Sequence, residues 1–459
     1  MSGHAHEWAR ENAALFAAVR CVPRAEWDVP DLAALDWDYV LGAANLHGVL
    51  PLLHTTLPDN TAIPALVTET ARSAYWTTPF RNRTLLGELK VALNAAAERG
   101  IAVMPLKGAL LAPCYYPTPA LRPMSDLDCL VRTADLAAFG AVLRDLGYRE
   151  IDGQPGLVDE RLHDPMFLEY AFTAERDGVP VLIEYRAEPF APLRLSLTEL
   201  DTTLATHLRR SVGGIWERGQ QGEYDGAPFA RMAAEDVLLH IASHSMTRHS
   251  SFRLLWLHDL CRVVAQHPDA INWEQLAREA RTLRLGAPVL AALEAAHRWL
   301  DAPISMERIA TAFVPRAYWL RAPMQTAESR LFAPQLHALD HADLTALAPA
   351  LRSEVALSLM RLRGPRATAR ALRWMLAPSR AYMRTWSRVI TRHDLAYGRA
   401  LALRAVISVL RLVALIQRRS EIRLPDRVAG GIAARFPRLH HLMETPLVRE
   451  DSETPTRWI

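Results

Sequence analysis

The sequence predicts an α+β fold, mainly helical, in which one small mixed β-sheet is embedded in large N- and C-terminal helical regions. Three observations predict it. Ala- and Leu-rich stretches with helical spacing occupy both ends of the 459-residue chain. Short apolar segments, partly β-branched, cluster between residues 100 and 190. A turn signal, Glu175-Arg176-Asp177-Gly178, separates two of them in the manner of a hairpin.

Taken in order, residues 5–55 show helical spacing that ends at Pro51 and Pro58, and 64–99 read as one long helix closed by Gly100. The texture then changes. Residues 101–106, IAVMPL, suit a buried strand, and Lys107-Gly108 open a brief helix through Ala112. A Pro-rich turn from Pro117 to Pro123 leads to DLDCLV, 126–131, a strand that begins polar and ends apolar. Residues 134–148 form a helix with Gly147 near its end, and 166–173 and 179–186 are two further strands. After Pro189 the chain reads as helical again. The expected division is an N-terminal helical region (1–99), an α/β core (100–190), a helical domain (191–345) and an arginine-rich C-terminal helical region with its tail (346–459). No internal repeat or low-complexity linker separates them, so the helices are expected to continue the core rather than hang from it.

Half of the residues are hydrophobic and 22% are charged, enough to bury a substantial core. The net charge of +3 is small and does not call for a polyanionic partner. Four cysteines, Cys21, Cys114, Cys129 and Cys261, are far apart in sequence, which fits neither zinc-type spacing nor a disulfide framework and suits a reducing cytoplasm. The N-terminus lacks the order of a signal peptide. No apolar run is long enough to span a bilayer; 401–417 comes nearest and is interrupted by Arg404 and Arg411. Lys90 and Lys107 are the only lysines against 51 arginines, so a lysine here can mark a chemical need for a compact point charge.

The chemistry concentrates in Pro105–Val131. Asp126 and Asp128 are two residues apart in a strand, and alternation puts both carboxylates on one face. Paired carboxylates repel unless a cation lies between them, and Mg²⁺ takes oxygen ligands completed by water and phosphates. Gly108, at a strand-to-helix junction, lets the backbone approach a phosphate, and the free N–H groups of the helix start favour anions. Lys107 adds a point charge and Arg122 a guanidinium fork. Each residue alone reads as a turn glycine or a solvated charge; five of them within 22 positions read as a phosphate site.

The string LKGALL, the aromatic-Pro turn, Arg122 and Ser125-Asp126-Leu127-Asp128 resemble the uncharacterised nucleotidyltransferase family of the DNA polymerase β superfamily. The helix ending in Leu146-Gly147-Tyr148 resembles it too, as does the later block 235–264 with His244, Trp256 and Asp259. The resemblance covers about 80–265 and implies a small nucleotidyltransferase sheet with helices on one side. It implies transfer of NMP from an NTP to a hydroxyl or phosphate with two Mg²⁺, or Mn²⁺ in their place, and release of pyrophosphate. By position it implies metal binding at Asp126 and Asp128 and nucleotide binding at Lys107, Gly108, Arg122 and Ser125. A third acid, as metal ligand or general base, falls to Glu184, with Glu169 as fallback. Relatives often place an acid two residues before a histidine on this strand, which would align Leu182 with the acid and Glu184 with the histidine. His244 and Asp259 would lie on the acceptor side or join helices. Members often occur in bacterial natural-product gene clusters, lasso-peptide clusters among them, which points to a small-molecule or peptide acceptor rather than nucleic acid. A degenerate accessory protein that only binds nucleotide or peptide, and an RNA- or tRNA-directed transferase, are the alternatives.

Three other features carry blander readings. His240, His244 and His249 suggest zinc, but no further ligand follows with tetrahedral geometry, so core or cleft-facing histidines are expected. His4 and His6 need no role. The arginines of 361–388, interleaved with Trp and Tyr, have the composition of an RNA-binding surface, yet in an arginine-biased chain they read first as a solvated helix face.

Overall fold

The computed structural model describes residues 9–23, 27–29, 31–151, 170–190, 202–248 and 253–313, with positions 369, 373, 380, 383, 395–403 and 405. Glu169, His249, His4, His6, most of 361–388 and the tail from 425 lie outside the described residues.

The N-terminal region is helical: α1 (Ala9–Ala18), α2 (Trp37–Leu46), α3 (Leu50–Thr56) and the 34-residue α4 (Ala65–Glu98). Asp36 caps α2 by accepting from the Tyr39 backbone N–H. Gly100, with φ +69°, ends α4, and the Ile101 N–H returns to the Ala96 carbonyl at 2.9 Å. That is the left-handed glycine cap that satisfies the last carbonyls of a helix.

The core follows as β1 (Val103–Pro105), α5 (Lys107–Tyr115), β2 (Leu127–Val131), α6 (Leu136–Asp145), β3 (Arg149–Glu150), β4 (Tyr170–Arg176) and β5 (Val179–Arg186). The five strands form one mixed sheet in the order β1-β2-β5-β4-β3. Only β2 and β5 run parallel; the other pairs are antiparallel. Asp177 and Gly178 both take positive φ, 52° and 75°, which gives the β4–β5 hairpin the primed turn that matches strand twist.

The region after Pro189 corrects the all-helical expectation. Between α7 (Thr202–Arg218) and α8 (Ala234–Arg248) lies a hairpin of β6 (Gln220–Tyr224) and β7 (Ala227–Arg231). Asp225 and Gly226, at φ 48° and 83°, form its turn. Up to residue 313 the chain continues through α9 (Leu254–Gln266), α10 (Trp273–Thr282), α11 (Gly286–Leu300) and α12 (Met306–Phe313).

Buried apolar side chains from Ala14 to Phe313 form one continuous cluster that includes both the sheet and the helices. Polar ties stitch it together. From α4, Glu88 accepts from Tyr148 Oη at 2.6 Å and Arg176 Nε at 3.0 Å, and Lys90 pairs with Asp225 at 2.5 Å. Arg218 on α7 holds buried Asp236 on α8 with two bonds of 2.9 and 2.7 Å. Among the described residues, no helix is long and apolar enough to cross a membrane.

His258 on α9 lies buried, with Nδ1 2.9 Å from the Val19 carbonyl beyond α1. Burial disfavours its charged form and lowers its pKa to about 4, against the raising effect of the Val19 carbonyl and of Asp259. The unfolded chain takes up this proton near pH 6.5 and the folded chain only near pH 4. Stability from this group is therefore full above pH 6.5 and lost as pH falls towards 4, on the order of 3 kcal/mol in all. Urea unfolding of the His258→Gln variant should show a flatter dependence of stability on pH across that window than the native chain.

Candidate active site

The two central parallel strands build the site. In their register Asp128 on β2 is the partner of Glu184 on β5, so both carboxylates leave the same face of the sheet. Leu127 and Cys129 alternate to the other side, and all five residues of β2 are buried. Asp126 stands one residue ahead of β2 and is half-buried, with Ser125 Oγ 3.0 Å from its Oδ1. Exposed Ser125 marks the solvent side.

Lys107 is delivered to this face by β1. The Leu106 N–H donates to the Asp128 carbonyl at 2.8 Å, which sets the next residue above the strand end. Lys107 takes φ +46°, a left-handed conformation that is uncommon for a residue with a side chain. Its ammonium donates to Asp128 Oδ1 at 2.7 Å. Of the two lysines, then, one serves a surface pair with Asp225 and the other meets a buried carboxylate.

Arg186 is the residue that the sequence reading misses. It is 2% exposed, and its Nη2 donates to the same Asp128 Oδ1 at 3.0 Å and lies 3.9 Å from Glu184 Oε2. The signal was present: alternation in VLIEYR sends Arg186 to the face of Glu184, two residues on. Burial by itself would raise the Asp128 pKa, but the Lys107 and Arg186 charges outweigh it and hold the carboxyl well below the usual carboxylate range.

Gly108 follows Lys107 in the first turn of α5. No side chain caps the start of α5, so its first N–H groups are available to a phosphate. A Cβ on Gly108 would come within 2.8 Å of Met124 Cγ and 3.1 Å of Arg122 Nη1. Gly108→Ala should therefore push the 122–124 loop outward and weaken binding of inorganic tripolyphosphate about tenfold, read by calorimetry, while changing Tm by only a few degrees.

Arg122 adjoins Gly108, but its fork is already engaged. Nε and Nη2 donate to the two oxygens of Asp259 at 3.0 and 2.9 Å, and Nη1 donates to the Pro123 carbonyl at 2.7 Å. Tyr116 Oη adds a 2.8 Å bond to Asp259 Oδ1. Asp259, on α9, is thus a buried tie between the helices and the loop beside Asp126. Arg81 and Asn82 of α4 hold the same loop, reaching Met124 O at 3.0 Å, Pro119 O at 2.7 Å and Arg122 O at 2.9 Å. His244 stands in a row of rings, Phe190, His240, His244 and Trp256, with successive centroids 6.0, 6.1 and 5.4 Å apart.

Oxygen donors at Asp126, Asp128 and Glu184 suit a hard cation. Among the described residues, no three His, Cys, Asp or Glu side chains are gathered as they stand into a metal centre. Mg²⁺ does not need three, because one or two carboxylates and the substrate phosphates usually hold it. The carboxylates that could serve are Asp128 on β2 and half-buried Asp126 one residue ahead of it.

A small mixed sheet thus carries acids on adjacent parallel strands, with a lysine at the strand–helix junction and a glycine under an uncapped helix start. The chain belongs to the family described as uncharacterised nucleotidyltransferase, whose model matches residues 33–301. No curated protein and no solved structure matches it.

Proposed function

We propose that the chain is a Mg²⁺-dependent nucleotidyltransferase that moves NMP from an NTP to a hydroxyl or phosphate of a small molecule, peptide or protein. The observation that carries this reading is the Asp128–Lys107 pair beside Gly108, with Glu184 in register on the neighbouring parallel strand. Asp126 and Asp128 would hold Mg²⁺, which supplies charge neutralisation for the triphosphate. The N–H groups at the start of α5 and the Lys107 ammonium bind and orient the phosphates. The acceptor oxygen attacks the α-phosphorus, the bond to the β-phosphate breaks and pyrophosphate leaves. Glu184 takes the proton of an acceptor hydroxyl. Ser125 and Arg122 shape the loop over this face, and His244 and Asp259 belong to the helices that would frame the acceptor.

The test is incubation with each α-labelled NTP, Mg²⁺ or Mn²⁺, and cell extract or candidate peptides. Asp126→Ala removes a half-buried carboxylate and should abolish label transfer with the fold intact. Transfer that survives both Asp126→Ala and Asp128→Ala would sink the assignment. Thermal stabilisation by one NTP with no transfer to any acceptor would instead indicate a nucleotide-binding accessory protein.

A further inference from the structure

Two carboxylates on neighbouring strands are ordinarily reconciled by a shared cation. Here a side chain of the protein already stands in that position. The Arg186 guanidinium lies 3.0 Å from Asp128 and 3.9 Å from Glu184, and the Lys107 ammonium lies 2.7 Å from the same Asp128 oxygen that Arg186 contacts. Arginine keeps its charge at any working pH. At 2% exposure it has little water to screen it. A divalent ion placed between Asp128 and Glu184 would therefore meet a fixed positive charge at contact distance in weakly screening surroundings. The ground left for a metal lies on the outer side, where Asp126 is half-buried and the triphosphate itself brings oxygen ligands.

We infer that this site takes a single divalent cation, which enters with the nucleotide, and that Arg186 permanently occupies the place of a second. The inference rests on the nucleotide reading above. It makes Arg186 a built-in counter-charge and leaves Glu184 free of metal, as a proton acceptor held in place by the same guanidinium. The arrangement dispenses with recruitment of a second ion between the two strands.

The experiment is a count of bound Mn²⁺ by electron paramagnetic resonance on the full chain. Each of the four NTPs is supplied as its uncleavable α,β-methylene analogue, and bound nucleotide is measured in parallel. One Mn²⁺ per bound nucleotide is expected; two would overturn the inference while leaving the nucleotide reading intact. Arg186→Met should admit a second Mn²⁺, with Lys107 still paired to Asp128. A folded Arg186→Met that still binds only one would also overturn it, because Arg186 would then not be what excludes the second ion. If that variant does not fold, the count on the native chain decides alone. No nucleotide bound by the native chain under any condition would remove the nucleotide reading and this inference with it.

Discussion

Asp128→Asn should abolish label transfer, a loss of at least about 10²- to 10³-fold, the scale on which removal of one well-placed electrostatic partner acts. The substitution keeps the shape of the side chain and removes its charge. It also leaves the Lys107 ammonium and the buried Arg186 guanidinium facing a neutral amide. Breaking one side of a buried ion pair costs about 3–5 kcal/mol, and Glu184 near Arg186 should keep the loss at the lower end. The sign of the pH dependence follows from the depressed Asp128 pKa. The contribution of this carboxylate is present above the unfolded value, near pH 4, and fades as pH falls through the folded value. The gap in unfolding free energy between the native chain and the variant should therefore be widest near neutral pH and close in acid. Urea unfolding followed at several pH values measures it, and a gap that stays constant with pH would mean that Asp128 is not held ionised by its neighbours.

The second large effect concerns stability. Asp259→Leu should cost about 3–5 kcal/mol, because it strands the Arg122 guanidinium and the Tyr116 hydroxyl in the core. The double variant Arg122→Met with Asp259→Leu should recover a large part of that loss, since an apolar pair avoids the cost of the unpaired charge. Chemical denaturation of the two single variants and the double variant closes the cycle. Equal and additive losses would show that the pair is not coupled. Arg122→Met alone should weaken tripolyphosphate binding less than Gly108→Ala does if the guanidinium chiefly holds the loop; the reverse order would restore it to the phosphate-binding role that its position in the sequence suggests.

The local grammar of the sequence carries most of the fold. The boundaries expected for the helix over 64–99 and for the strand over 179–186 agree closely with α4 and β5, because glycine caps and β-branched alternation act within a few residues. Asp126 and Asp128 stand out for the same reason. The electrostatics of the site were less legible. Lys107 lies 21 positions from Asp128 and Arg186 lies 58 away, and only strand pairing brings them to one oxygen. Arg122 looked free for phosphate because Asp259, 137 positions on, belongs to another helix. The β6–β7 hairpin carried an explicit Asp225-Gly226 turn signal, but its first strand, QQGEY, lacks the apolar alternation that would have flagged a strand, so the surrounding helical pattern masked it.

Helix α4 belongs by sequence to the N-terminal region, yet four of its side chains end on other parts of the molecule: Arg81 and Asn82 on the loop before Asp126, Glu88 on Arg176 of the sheet and on Tyr148 just before β3, Lys90 on the second hairpin. The loop that presents the acids is thus shaped by residues that a minimal α/β unit would not contain. A chain shortened to begin at Gly100 would keep every residue assigned to chemistry and lose the brackets that hold that loop. The N-terminal helices are therefore not a detachable module. Any recombination that grafts this sheet onto another helical partner must carry α4 along with it.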